Sequence, residues 1–144
     1  MLSLVRSLNK VSKNYSVFIS HRWDYGNQLI SLKNLLNKEE GLIASYEEVT
    51  VEQPINSENS SYIKGVLKGK ILNSDVFIVV AGMYTAYSDW MEWEINTAVK
   101  NNIPVLGIKP RSAKRIPSLV SNNATEIVGW YTPSIVFAIR KLAK

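Results

Sequence analysis

The chain contains no cysteine and a single histidine, His21, among its 144 residues. The absence of cysteine excludes disulfides, thiolate nucleophiles, iron–sulfur clusters and cysteine zinc sites, and it fits a reducing compartment. One histidine excludes a multi-histidine metal centre, and a catalytic triad would have to be built around His21. We therefore expect no metal site.

Long hydrophobic runs are also missing. No apolar run approaches the roughly 18–20 residues that a membrane-spanning helix needs. The N-terminus carries Arg6 but no continuous apolar segment of the kind found in secretory signals. We therefore expect a cytoplasmic protein without a transmembrane segment.

The composition is that of one folded domain. Apolar residues make up 46% and charged residues 20% of the chain, which excludes wholesale disorder. The length suits a single α/β domain and is too short for two.

The net charge of +5 is unevenly distributed. Residues 100–115 carry five basic side chains and no acid, whereas residues 39–58 carry six glutamates. This asymmetry fits a phosphate-bearing ligand, an oppositely charged partner or a solvated surface. Nucleic-acid binding is not expected, because the basic run lacks interleaved aromatic side chains.

Five apolar or β-rich runs predict strands. Two of them, residues 75–81 and 104–108, are continuously apolar, which is typical of strands covered on both faces of a parallel sheet. The predicted strands are Tyr15 to Ser20, Ile43 to Val49 (the weakest), Asp75 to Ala81, Pro104 to Ile108 and Thr125 to Val128.

Segments with helical periodicity lie between these runs. One of them is predicted to stop at Asn101-Asn102, and the last is predicted to begin with Thr132 as N-cap and Pro133 at its first position. The alternation predicts a single flavodoxin-like α/β domain. Its five-stranded parallel sheet has the order 2-1-3-4-5, with helices on both faces.

Residues 1–14 lie outside this alternation and are predicted to form an N-terminal helical extension to a domain of residues 15–144. Leu4, Val5, Leu8 and Val11 fall near helical spacing. Such a helix packs on the domain, contacts another subunit or lies on a membrane surface. The sequence leaves these three alternatives open.

The predicted fold also locates a ligand site. In an open parallel sheet, ligands bind beyond the carboxyl ends of the strands at the topological switch point, here between strands one and three. The candidate ligand-binding residues after these two strands are His21, Arg22, Trp23, Asp24, Gly82, Tyr84, Ser88 and Trp90.

Glu94 is the candidate catalytic residue. A helix that begins near Asp89 places Glu94 one residue from a core face marked by Ile95 and Val99. A carboxylate there is partly desolvated and points toward the strand ends, and burial would raise its pKa. The alternative is a first-turn glutamate that only complements the helix dipole.

Several segments resemble TIR domains. Residues 17–21, Val-Phe-Ile-Ser-His, and their polar loop are similar to the first TIR strand and loop, and Ser88 to Ile95 is similar to the TIR segment with Trp, two variable residues and Glu-Ile. The closest resemblance is to the bacterial TIR-like family of Thoeris antiphage systems. It extends over about residues 15–143 and includes residues 81–84, 104–110, 127–130 and 134–140.

This resemblance implies an enzyme that cleaves the nicotinamide–ribose bond of NAD, with Glu94 as the catalytic glutamate. Thoeris members pass the ADP-ribosyl unit into a cyclic or conjugated signalling nucleotide that activates a separate nucleotide-sensing effector. The resemblance also implies a homo-oligomer formed by TIR–TIR contacts and a phage-derived trigger. NAD is expected as a substrate and not as a cofactor. No GxGxxG or Walker loop occurs in the sequence, which excludes a Rossmann dehydrogenase.

Several of the proposed substrate contacts have a structural alternative. Trp23, Tyr84 and Trp90 are suited to stacking on nicotinamide or adenine, and for Trp90 ordinary packing is the alternative. His21 and Arg22 leave the first strand where a pyrophosphate would lie, and a structural role for the histidine is the alternative.

Three further positions each have a functional and a structural interpretation. Asp24 either binds a ribose or begins a helix, and Ser88 either supports the glutamate or caps a helix. Gly82 either allows close approach of the backbone or forms a turn. The loop of residues 48–61 lacks the acidic-Gly-Pro pattern of many receptor TIR domains and is closer to the Thoeris-like branch.

Two other function classes compete with the enzyme. In a non-enzymatic TIR-type interaction module, Glu94 would only shape a helix terminus. A nucleoside-processing glycosyl transferase is the second, because related folds also place a glutamate beside a ribose C1′.

Overall fold

The computed structural model describes residues 15–20, 26–45, 58, 60–80, 89–109 and 116–143. The predicted N-terminal extension of residues 1–14 lies outside these ranges. Within them, strands and helices alternate along the chain. They are β1 (Tyr15–Ser20), α1 (Gly26–Asn37), β2 (Leu42–Ser45), α2 (Ser60–Leu72), β3 (Val76–Val80), α3 (Asp89–Lys100), β4 (Val105–Lys109), α4 (Ser118–Asn123), β5 (Glu126–Gly129) and α5 (Thr132–Leu142).

The sheet has the predicted order. Its five parallel strands run β2-β1-β3-β4-β5, so the order reverses between β1 and β3. Ser20, the last residue of β1, lies opposite Val79 of β3. The switch point is therefore at the carboxyl ends of these two central strands.

The core consists of two apolar layers, one on each face of the sheet. Helices α1 and α5 cover one face, and helices α2, α3 and α4 cover the other. Every residue of β3 is buried, as its continuous apolar run predicts. On the α3 side, the rings of Phe18 and Phe77 stack across neighbouring strands with centroids 5.5 Å apart, which ties β1 to β3 next to the switch point.

Helix α3 ends where the asparagine pair predicts. Asn102 adopts a left-handed φ of 60°, and its N–H donates to Val99 O over 3.1 Å. The N–H of Ile103 donates to Ala98 O over 2.9 Å, which completes a Schellman turn. This turn directs the chain back into β4.

Several predicted boundaries were wrong by one or two residues. Thr132 is the first helical residue of α5 and not its N-cap; the N-cap is the extended Tyr131, whose carbonyl accepts from Ile135 N, so Pro133 is the second residue of the helix. Strand β2 begins at Leu42, one residue before the predicted start. Helix α4 was not predicted, because six residues are too few to display helical periodicity.

None of the described helices is long and apolar enough to cross a lipid bilayer. The same part of the chain holds no group of three or more potential metal ligands.

Gly107 of β4 leaves no room for a larger side chain beside helix α4 and strand β5. A Cβ at this position would lie 3.1 Å from Val120 Cγ1 and 3.2 Å from Ile127 Cγ1. We expect Gly107→Val to lower the free energy of unfolding by about 1–3 kcal/mol through overpacking, measured by urea denaturation. Gly129→Val in β5, where nothing lies within 4 Å of the added Cβ, is the control, and an equal loss in both variants would refute this explanation.

Candidate active site

Glu94 lies in the second turn of α3, with its side chain only 6% exposed. The buried residues of this helix include Met91, Ile95 and Ala98, whereas Val99 is 44% exposed. The expectation that Val99 marks the core face was therefore wrong. Successive residues are 100° apart on a helix. The buried face of α3 is therefore rotated about the helix axis, relative to the predicted face, so that it includes Glu94 and leaves Val99 out. The same rotation buries Glu94 more completely than the sequence predicted.

Ser20 meets Glu94 at the carboxyl end of β1. The Ser20 hydroxyl donates a hydrogen bond to Glu94 Oε1 over 2.7 Å, and the serine is only 1% exposed. Alternation along the strand puts Ser20 on the same face as Phe18, which is the face covered by α3. The contact therefore joins the switch point of the sheet to the helix that carries the glutamate.

The electrostatic state of Glu94 follows from its surroundings. Burial raises the pKa of Glu94 from 4.5 to about 8, and the hydrogen bond from Ser20 opposes this rise. Desolvation dominates because the charged form loses water and gains one hydrogen bond in return. The carboxyl group of the unliganded site is mostly neutral at pH 7.

Ser20 was not among the sequence-predicted site residues. The usable signal was a small polar residue directly after the apolar run Val17 to Ile19, at the end of the strand and on the same side as Phe18. Whether this serine contacts Glu94 depends on the rotation of α3 about its axis, and the periodicity of the helix did not predict that rotation.

Most of the other predicted site residues fall outside the described ranges. Trp90 belongs to the first turn of α3, and the position of its side chain is not described. The predicted site residues that lie outside the described ranges are His21, Arg22, Trp23, Asp24, Gly82, Tyr84 and Ser88.

Two grooves in the described part of the molecule lie away from Glu94. One, of about 400 Å³, is at the amino ends of β4 and β5, with Asn102, Thr125 and Lys141 among its lining residues. The other, of about 370 Å³, runs between β5 and α5 beside Phe137. The ionisable side chains that line them, Lys141 and Glu126, are partly exposed and pair with each other over 3.2 Å, so the buried Glu94 remains the candidate.

A buried carboxyl group at the strand ends is suited to two kinds of chemistry. As a neutral acid it donates a proton, and as a carboxylate it stabilises positive charge on a reacting carbon. Which form acts depends on the charge that the ligand brings.

The architecture is similar to that of several solved structures. A 2-deoxyribosyltransferase from Bacillus psychrosaccharolyticus is 12% identical with a TM-score of 0.63, covering 83% of this chain and 89% of that chain. A response regulator receiver protein from Sinorhizobium medicae is 14% identical with a TM-score of 0.54, covering 90% and 94%. The TIR domains of the activated Roq1 resistosome are 20% identical with a TM-score of 0.50, covering 89% and 71%. At these identities the likeness concerns the fold alone.

The sheet order and the helices on both faces define a flavodoxin-like α/β domain. Residues 18–115 match the model of the family described as Thoeris protein ThsB, TIR-like domain. The chain belongs to this family. No sequence among curated proteins matches it significantly.

Proposed function

We propose that this chain is a bacterial antiphage enzyme of the Thoeris type that cleaves the nicotinamide–ribose bond of NAD. The ADP-ribosyl unit becomes a cyclic ADP-ribose-type nucleotide that activates a separate effector. The observation that carries the proposal is the buried carboxyl group of Glu94 at the switch point, in a chain of the ThsB TIR-like family.

The chemistry of NAD suits a single carboxylate. Cleavage breaks the bond between ribose C1′ and the nicotinamide nitrogen, and the electron pair leaves with the nicotinamide. Because the ring is cationic beforehand, it leaves as a neutral molecule and needs no general acid. The ribosyl group that remains has oxocarbenium character, which a nearby carboxylate stabilises. We assign this role to Glu94, together with hydrogen bonds to the ribose hydroxyls.

The raised pKa of Glu94 is compatible with a substrate that carries positive charge. With burial raising this pKa to about 8, the carboxyl group without a bound cation is mostly neutral at pH 7. A cation within about 4–6 Å favours the ionised form. Binding of the nicotinamide ring would therefore release the proton and generate the carboxylate that the reaction uses.

The fate of the ribosyl group decides the product. Capture by water gives ADP-ribose and releases a proton, whereas capture by a nucleophilic atom of the same ADP-ribosyl unit closes a ring and consumes no water. Membership of the Thoeris family supports the second fate. NAD is consumed as substrate, so no resident cofactor is proposed.

The remaining parts of the proposal rest on the resemblance to TIR domains. The residues proposed to hold NAD are His21, Arg22, Trp23, Asp24, Gly82, Tyr84, Ser88 and Trp90. We further propose that the protein acts in the cytoplasm as a homo-oligomer and that a phage-derived component triggers it.

The test is to incubate the purified protein with NAD, alone and in lysate from phage-infected cells. We expect nicotinamide release in at least one condition, with a product mass equal to NAD minus nicotinamide for the cyclic nucleotide and one water more for ADP-ribose. No release from folded protein in either condition would favour the interaction module.

The alternative of a nucleoside-processing glycosyl transferase is tested in the same assay. A neutral Glu94 is suited to protonating a neutral base, so purine and pyrimidine nucleosides are supplied beside NAD. Base release from nucleosides without cleavage of NAD would replace the proposed function.

A further inference from the structure

The Ser20 hydroxyl is the polar side-chain partner of Glu94 among the described residues. It donates to Oε1 over 2.7 Å, and both residues are buried. A hydrogen bond to an ionised carboxylate is shorter and stronger than one between neutral groups. The contact therefore gains strength when Glu94 loses its proton.

Both partners are held in place by the core. Phe18, two residues before Ser20 on the same face, stacks on Phe77 with an interplanar angle of 13°. Ile95, next to Glu94, is fully buried in the same apolar layer. Because both residues adjoin closely packed core side chains, the bond fixes one carboxyl oxygen at little further entropic cost.

We propose that Ser20 is a positioning residue, which holds Oε1 of Glu94 and leaves the other carboxyl oxygen to face the reacting ribose. This inference rests on the proposed function of the site. Ser20 itself touches no reacting atom and acts through the orientation and ionisation of the glutamate.

Charged groups on the neighbouring elements are all less buried than Glu94. On this side of the sheet, the described ones are Asp89, Glu92 and Lys100 of α3, Lys64, Lys68 and Lys70 of α2, and Lys109 of β4. Burial raises the pKa of Glu94 and the Ser20 hydrogen bond lowers it, so removal of the hydroxyl is the direct way to change it.

The experiment removes the hydroxyl and follows Glu94 in two ways. In Ser20→Ala, we expect the midpoint of the Glu94 titration, observed by carbon NMR of the side-chain carboxyl without substrate, to rise by about one pH unit. The signal is identified by its absence from Glu94→Gln. We also expect kcat for NAD at pH 7 to fall about tenfold, with KM changed less than about twofold, and to recover as the pH is raised.

Ser74→Ala is the matched control. Ser74 is also buried, and its hydroxyl donates to Ile71 O over 2.6 Å just before β3 begins, at the opposite end of the sheet. This variant loses a buried hydroxyl of the same kind and should leave both the titration and kcat unchanged. Ser20→Thr keeps a hydroxyl at this position and should keep the wild-type midpoint of the Glu94 titration. Ser20→Cys supplies only a weak donor and should move the midpoint in the same direction as alanine.

The outcomes separate this inference from the proposed function. An unmoved Glu94 midpoint in folded Ser20→Ala, or in Ser20→Cys if the alanine variant does not fold, overturns the positioning role even if the wild type cleaves NAD. A raised midpoint in a protein that does not cleave NAD supports the contact and refutes the proposed reaction. A fall in kcat with no change in the midpoint also overturns the inference, because the loss then has another cause.

Discussion

Glu94→Gln is expected to lower the rate of nicotinamide release by about 10³-fold while the domain remains folded. Glutamine has nearly the same shape and keeps an oxygen that accepts from the Ser20 hydroxyl. It lacks the negative charge that stabilises the ribosyl cation. The measurement is kcat/KM for NAD, with folding checked by circular dichroism and thermal denaturation.

Glu92→Gln is the matched control for this prediction. Glu92 lies on the same helix, two residues earlier, and is only partly buried. The substitution makes the same chemical change on the same helix and therefore controls for any general effect of replacing a carboxyl group near the helix N-terminus. We expect kcat/KM within about twofold of wild type. Equal losses in the two variants, or full activity of Glu94→Gln, would remove Glu94 from the reaction.

The sequence predicted the central strands because their signals are local, and the sheet order followed from the flavodoxin-like form expected of an alternating α/β chain of this size. Apolar runs such as residues 76–80 are covered on both faces, and a strand of that kind occurs almost only in the middle of a parallel sheet. The stop at Asn102 is equally local, since asparagine tolerates the left-handed φ of 60° that the turn requires. Features of this type can be read from a few adjacent residues.

The environment of Glu94 could be predicted only in part. Its place near the strand ends followed from the fold, but its hydrogen bond to Ser20 joins residues 74 positions apart. That bond depends on the rotation of α3 about its axis. The apolar side chain of Val99 suggested the wrong rotation, because an apolar residue in the last turn of a helix is not necessarily buried.

The contribution of Glu94 to the stability of the wild-type protein is expected to fall as the pH rises from about 4.5 to 8. The pKa of Glu94 is 4.5 in the unfolded chain and about 8 in the folded domain, where burial disfavours the charge. Between these values the folded state binds a proton that the unfolded state has lost, so the derivative of unfolding free energy with pH is negative. Below pH 4.5 both states are protonated and Glu94 contributes no difference.

The size of this effect follows from the same two values. Each pH unit in the window costs about 1.36 kcal/mol, so Glu94 lowers the stability by roughly 3–4 kcal/mol between pH 5 and pH 8. Urea denaturation of the wild type and Glu94→Gln across this range isolates the contribution, because the other titrating groups are common to both proteins. Glu92→Gln should retain the wild-type slope. Parallel curves of unfolding free energy against pH for the wild type and Glu94→Gln would mean that Glu94 is already ionised in the folded state.

The pH dependence of the stability also distinguishes a catalytic role of Glu94 from a structural one. A side chain that only completes the fold is expected to stabilise it near neutral pH, and a buried carboxyl group without a described cationic partner does the opposite. If the variant with glutamine is the more stable protein at pH 8 and the less active one toward NAD, the ionisable group is kept at a cost to folding. Such an exchange of stability for activity is typical of catalytic residues, and it is not expected of an interaction module in which Glu94 merely shapes a helix.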